Sequence, residues 1–321
     1  MTLAAVERLV VEYASRAGVL RAVDGVSFEV AAGEALGIVG ESGSGKSTLA
    51  RALVRLIVPV SGRVRFRGAD LATLPAGELR RLRRHLAIVF QNPTSSFDPR
   101  RTIGESVAEP LAVHGAGLGR AARAARVAAL LERVGLDAAL AARRPHELSG
   151  GQCQRAAIAR AMITAPELLV CDEATSALDV SVQAQIVNLL VELRREHGLA
   201  CLVISHNLAV VRRIASRVLV LYRGRVVEAA PREALFARPR HPYTRLLLDS
   251  VPSLEGPAPG VARVPPESAS PFVRPAGCGF AGRCPHAEAR CRAAPPQLET
   301  VAADHAVACV RWREAVAAPG R

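Results

Sequence analysis
The stretch Gly40-Glu41-Ser42-Gly43-Ser44-Gly45-Lys46-Ser47-Thr48 has the spacing G-x-x-x-x-G-K-[ST], a phosphate-binding pattern with a definite mechanism. Its glycines let backbone N–H groups turn inward around an anion with no Cβ in the way. Lys46 would reach the β- and γ-phosphates of a nucleoside triphosphate, and the Ser47 hydroxyl would ligate Mg²⁺. Gly40, Ser42, Gly43, Gly45, Lys46, Ser47 and Thr48 form the first candidate nucleotide-contacting set. Further along, the apolar run from Leu168 ends in Asp172-Glu173. There Asp172 is placed to hold Mg²⁺ through water, and Glu173 to polarise an attacking water as general base. Between the two lies Leu148-Ser149-Gly150-Gly151-Gln152.

This chemistry needs particular elements around it. Ala35–Val39 reads as a buried strand, and residues 47–56 have helical spacing, which sets the glycine loop at the positive end of a helix dipole. Helical spacing also follows Gln152, over residues 153–164, and leads into the buried strand that ends at Glu173. Residues 5–90 alternate short strands with turns. Residues 92–147 are rich in Ala and Arg, have helical spacing as in residues 121–134, and contain no convincing strand. Strand–helix alternation returns over 151–230 and argues for a parallel sheet. Pro231 begins a different region, and the many prolines of 252–278 predict a linker.

Composition narrows the class. With 321 residues, half of them hydrophobic and only 3% aromatic, the chain can build a large aliphatic core. No apolar run approaches the roughly 18 residues of a membrane span. The N-terminal residues lack a basic segment followed by an apolar one, so a cytosolic protein is expected. The net charge of +13 comes mainly from Arg and is spread along the chain. The cluster Arg80–Arg84 reads as a solvated helix face. Aromatic interleaving and helix-turn-helix or zinc-finger spacing are lacking, so no nucleic-acid partner is expected.

Taken in order, these motifs resemble the ATP-binding cassette family over about residues 5–230. The resemblance implies an α/β P-loop NTPase cassette: a RecA-like parallel core sheet, an antiparallel β subdomain and a helical subdomain. The nucleotide-binding domain would be 1–230, with the helical part at 92–150 and an extension at 231–321. In family terms, Tyr13 stacks on adenine, although a lone aromatic can equally pack on a sheet edge. Gln91 contacts Mg²⁺ and the attacking water, unless it is a plain surface glutamine. Ser149, Gly150, Gly151 and Gln152 are the signature that caps the γ-phosphate of ATP on another subunit. Ser176-Ala177-Leu178-Asp179 crosses the dimer interface. His206, after the apolar run 200–205, contacts the γ-phosphate, the alternative being a satisfied core histidine. Cys153 stands where many relatives carry a larger polar residue, a neutral change rather than a redox switch. Gln91–Arg100 would help form the groove that receives a cytoplasmic helix of a permease.

The tail narrows the branch. His241-Pro242-Tyr243-Thr244-Arg245, with Leu246-Leu247-Leu248 and Val251-Pro252, resembles the extension of the oligopeptide, dipeptide and nickel import ATPases. Four of seven cysteines lie there, spaced Cys278-x5-Cys284-x6-Cys291-x17-Cys309. Cys153, Cys171 and Cys201 read as small core residues. A cytosolic setting disfavours disulfides, and thiolates suit zinc or iron–sulfur chemistry, but paired C-x2-C knuckles are lacking. The resemblance points to a four-iron–four-sulfur cluster; zinc, or no metal, stays open. His286 and His305 fit surface or packing roles. The implied partners are two transmembrane permease subunits, a second ATPase of the same or a related chain and, indirectly, an extracytoplasmic solute-binding protein. The chain would sit peripherally on the cytoplasmic face of the inner membrane, with peptide as the leading solute and nickel, glutathione or sugars behind it. An ATPase acting on ribosomes or DNA would be expected to carry two cassettes or a long coiled-coil insert. Many exporters fuse the cassette to transmembrane helices. None of these features is present.

Overall fold
The computed structural model describes residues 1–16, 18–114, 118–250 and 275–313. An antiparallel sheet of four strands has the order β2-β1-β4-β5, from β1 (Thr2–Ser15), β2 (Gly18–Ala31), β4 (Ser61–Phe66) and β5 (Ala69–Asp70). Polar–apolar alternation turns Val6, Val11, Phe28 and Val30 inward. The alternation would fail at Leu9, because Val6 and Leu9 differ by an odd number of residues. A bulge corrects it: Arg8 takes φ 45°, the register shifts between Val6 and Leu9, and Leu9 is fully buried.

The larger sheet has eight strands in the order β11-β12-β10-β9-β3-β8-β7-β6. They are β3 (Ala35–Val39), β6 (Leu86–Val89), β7 (Leu168–Asp172), β8 (Ala200–Ile204), β9 (Arg217–Tyr222), β10 (Arg225–Pro231), β11 (Glu299–Ala302) and β12 (His305–Val307). From β9 to β6 every pairing is parallel. Every residue of β3, β7 and β8 is buried, which explains why these strands read as unbroken apolar runs. One face packs on α1 (Lys46–Leu53) and the small sheet, with α2 (Ala76–Arg83) outside it. The other face packs on α5 (Gly150–Met162) and α6 (Val180–His197), with α3 (Ile103–His114) and α4 (Arg120–Arg133) stacked on α5.

Most sequence-based elements fall where expected. The described residues of 92–147 hold α3, α4 and short 3₁₀ turns without a strand. Helix α2 buries none of its residues, in keeping with a solvated Arg80–Arg84 face. The helix expected over 47–56 ends at Leu53, because Arg55 turns into the left-handed region at φ 59°. The proline-rich stretch 252–278 lies almost wholly outside the described residues.

The C-terminal region closes the edge of the large sheet. After α7 (Leu208–Ile214), α8 (Arg232–Ala237), α9 (Pro242–Asp249) and α10 (Ala289–Ala293), strand β12 pairs antiparallel with β10, placing Glu228 opposite Val307. This covers what would be an open edge. Val39 and Tyr222 share an apolar cluster with Tyr243 and Phe280. Buried Glu228 accepts the N–H groups of Arg240 and His241 and bonds His305 Nε2 at 2.7 Å, so His305 has a packing role. Phe280 is 1% exposed, with ring centroids 5.4–5.5 Å from Tyr243 and Tyr222. Phe280→Ala should therefore destabilise the chain by about 3–5 kcal/mol. Urea unfolding checks this; a loss below about 1 kcal/mol would mean that the C-terminal region unfolds independently of the sheet.

Candidate functional site
The glycine loop joins the C-terminal tip of β3 to the first turn of α1. Gly40, Gly43 and Gly45 take φ of 156°, 80° and 101°. At Gly45 a Cβ would lie 2.1 Å from the Ala22 carbonyl oxygen, so no other residue fits there. Lys46 is buried, and its Nζ donates to the carbonyls of Gly40 and Glu41, each at 2.8 Å. Burial lowers its pKa, while the carboxylates of Glu173, Asp172 and Glu41 push it back up. The ammonium thus folds back on its own loop, next to the N-terminus of α1.

Ser47 Oγ donates to Asp172 Oδ1 at 2.7 Å, joining the loop to the tip of β7. Asp172 is 2% exposed; burial raises its pKa and the Ser47 hydrogen bond lowers it. A hydroxyl and a carboxylate side by side are hard oxygen donors of the kind Mg²⁺ takes, and a cation would relieve the buried acid. Glu173 stands just beyond, with φ 49° and its N–H on the Ile204 carbonyl. Gln91 Nε2 donates to Glu173 Oε2 at 3.1 Å, and His206 Nδ1 lies 3.2 Å from the same oxygen. Two candidates far apart in sequence thus meet on the carboxylate of a third. His206 is no core histidine, since its side chain is 56% exposed. The Tyr13 hydroxyl lies 3.2 Å from Thr48 Oγ1, which brings its half-exposed ring beside the first turn of α1.

The signature lies apart from this group. Ser149 caps α5 by accepting from the Gln152 N–H, and Gln152 Oε1 accepts from the Ser149 N–H in return. Gly151 lies against α6, where a Cβ would come within 2.7 Å of Val182. Among the described residues no hydrogen bond joins the signature to the glycine loop. Cys153 is buried and donates to the Pro145 carbonyl, in keeping with a packing role.

Arg160 is a residue that sequence reasoning misses, because a basic residue in a helix gives no signal of its own. It is partly buried, donates to Ser96 O and Oγ at 2.6 and 2.8 Å, and stacks over Phe97. It ties the segment after Gln91 to the signature helix.

The four C-terminal cysteines line one small cavity, together with His241, Phe280 and His286. Burial raises the thiol pKa of Cys278 and Cys284, and that of Cys309 to about 11. His241 Nδ1 accepts from the Tyr243 N–H, and its Nε2 is buried without a partner. Among the described residues, no three His, Cys, Asp or Glu side chains are drawn into an arrangement that could hold a metal ion. The sulfurs share the cavity as soft donors inside an apolar shell, a donor set that suits zinc or iron–sulfur chemistry.

A match to the ABC transporter family covers residues 23–176, and a match to the oligopeptide/dipeptide transporter C-terminal region covers 227–291. A Brucella ovis protein named for peptide import and ATP binding is 48% identical over 310 residues, 96% of this chain and 98% of its own. A Sinorhizobium fredii protein named as a peptide ABC transporter ATP-binding protein is 50% identical over 313 residues, 95% of this chain and 88% of its own. Among solved structures, a dimeric ATP-binding cassette in a post-hydrolysis state with ADP and phosphate is 30% identical, with TM-score 0.67, covering 71% of this chain and 98% of its own. The Clostridium perfringens protein cbiO1, part of the ABC transporter complex cbiONQ, is 29% identical, with TM-score 0.64, covering 74% of this chain and 91% of its own.

The loop geometry gives a direct test. Lys46→Ala removes the one side-chain ammonium of the loop and should weaken Mg-ATP binding about ten- to hundred-fold. Calorimetric titration measures this, and unchanged affinity would dissociate the loop from nucleotide binding.

Proposed function
The chain belongs to the ATP-binding cassette transporter family, and on that basis we propose that it is the ATP-hydrolysing subunit of an importer for oligopeptides, dipeptides or a related solute. The observation that carries this reading is the meeting of Gln91 and His206 on the Glu173 carboxylate, beside the Ser47–Asp172 pair.

ATP would stack its adenine on Tyr13 and lay its phosphates along the backbone of Gly40, Ser42, Gly43, Gly45, Lys46, Ser47 and Thr48. Lys46 would leave the loop carbonyls for the β- and γ-phosphate oxygens. Ser47, Asp172 and Gln91 would hold Mg²⁺, which when bound neutralises charge on the transferred phosphate. Glu173 would take the proton of the attacking water through Oε1, because Gln91 and His206 both occupy Oε2. His206 would then turn to the γ-phosphate from the exposed side. The capping hydrogen bonds of Ser149 and Gln152 lie away from this site, which supports their acting, with Gly150 and Gly151, on ATP held by a second cassette, of the same or a related chain.

Among the described residues no helix is long and apolar enough to cross a membrane. The solute path would therefore belong to two permease subunits, supplied by an extracytoplasmic binding protein, with this chain peripheral on the cytoplasmic face. The Ser96–Arg160 contact would pass movement between the permease-facing segment and the signature helix. Glu173→Gln should retain ATP binding and lose about 10²–10⁴-fold in hydrolysis. Tagged and purified from detergent-solubilised membranes with ATP, it should bring down two permeases and an ATP-locked cassette pair. Near-normal turnover would remove Glu173 as base, and recovery with ribosomes or DNA-bound proteins would overturn the importer reading.

We further propose that Cys278, Cys284, Cys291 and Cys309 hold a four-iron–four-sulfur cluster. Their shared cavity supports this; the thiols would close on the metal as they lose their protons. Anaerobically purified protein should contain iron and labile sulfide in equal amounts, and Cys284→Ser should lose both. Zinc, or no metal after reconstitution, would overturn the assignment.

A further inference from the structure
Glu41 occupies a variable position of the glycine loop, and the pattern asks nothing of it. The structure nevertheless fixes it from every side. Its carbonyl accepts from Lys46 Nζ at 2.8 Å, and its N–H donates to the Tyr243 hydroxyl at 2.8 Å. Its carboxylate takes a two-pronged grip from Arg283, with Nη1 at 2.7 Å from Oε2 and Nη2 at 2.8 Å from Oε1. Tyr243 and Arg283 lie 202 and 242 residues further along the chain, in the C-terminal region. Neither is loosely placed: Tyr243 is fully buried against Tyr222 and Phe280, and the Arg283 side chain is only 12% exposed.

The electrostatics show what the grip accomplishes. A loop that receives a polyanionic triphosphate carries a carboxylate whose charge reaches Lys46. Left unpaired, that carboxylate would repel the phosphates and compete with them for the ammonium. Bidentate pairing to Arg283 neutralises it. The Tyr243 hydrogen bond meanwhile holds the backbone direction between Gly40 and Ser42.

We propose that Arg283 and Tyr243 are positioning residues for ATP: by clamping Glu41, the C-terminal region sets the affinity of the phosphate loop. The inference rests on the ATPase reading and deepens it. Loss of the charged partner in Arg283→Gln should raise the Kd and KM for Mg-ATP about ten-fold, with kcat at saturation nearly unchanged. Adding Glu41→Gln removes the stranded charge and should return the affinity to within about two-fold of the wild type, although the salt bridge stays broken. A merely structural salt bridge would lower the melting temperature and show no such rescue of affinity. Tyr243→Phe keeps the ring packing and should raise KM about three-fold, which keeps the test intact if Arg283→Gln fails to fold.

The measurement is calorimetric titration of the full chain with Mg-ATP, alongside steady-state turnover. No binding by the wild type would overturn the ATPase reading and this inference with it. Wild-type binding matched by Arg283→Gln and Tyr243→Phe, or an affinity loss that Glu41→Gln does not rescue, would overturn the inference alone.

Discussion
Parallel pairing of β3, β8 and β7 is the constraint from which the site arises. In this register Ile38 lies opposite Ile204, and Ile204 opposite Asp172. Three strands from distant parts of the chain therefore end at one level. Beyond that level the backbone leaves the sheet as the glycine loop, at Glu173 and as Ser205-His206. An open parallel sheet collects chemistry at its carboxyl edge because every strand there points the same way. The Ser47–Asp172 hydrogen bond and the Glu173 N–H to Ile204 carbonyl bond then pin the loops together above the sheet. A slip of one residue in β7 would turn Asp172 to the other face and break the first of these bonds.

The second constraint is the sheet edge. Strand β10 would present unpaired N–H and C=O groups, and β12 pairs with it at Glu228 and Ala229, with β11 added beyond β12. That cover brings Phe280, Tyr243 and Arg283 over the tip of β3. Cys284 comes directly after Arg283, and His241 precedes Tyr243 by two residues. The walls of the cysteine cavity and the two side chains that hold Glu41 thus belong to the same short segments. A rearrangement of the cavity and a movement of the phosphate loop are mechanically neighbouring events.

A third link runs through the helical face. Arg160 on α5 holds Ser96 and Phe97, in the segment that leaves Gln91. Gln91 in turn holds Glu173. The signature helix, the segment proposed to meet the permease and the proposed base are joined by consecutive charged or polar contacts. These are individually modest in energy and depend strongly on geometry.

The local pieces are legible in the residues alone. The glycine loop can be read because a positive φ and close backbone approach exclude other residues. The strands β3, β7 and β8 can be read because burial on both faces requires unbroken apolar runs. Residue order and the tail motif are enough to name a family. The long-range meetings come from the fold. Tyr13 meets Thr48 because the small sheet packs on α1, and Gln91 and His206 meet on Glu173 through strand pairing across the large sheet; no local spacing encodes either. The parts played by Glu41, Arg160, Tyr243 and Arg283 stay hidden in the sequence because a single charge or aromatic ring carries no periodic signal. Their roles come from partners up to 242 residues away, chosen by how the C-terminal region packs on the sheet edge.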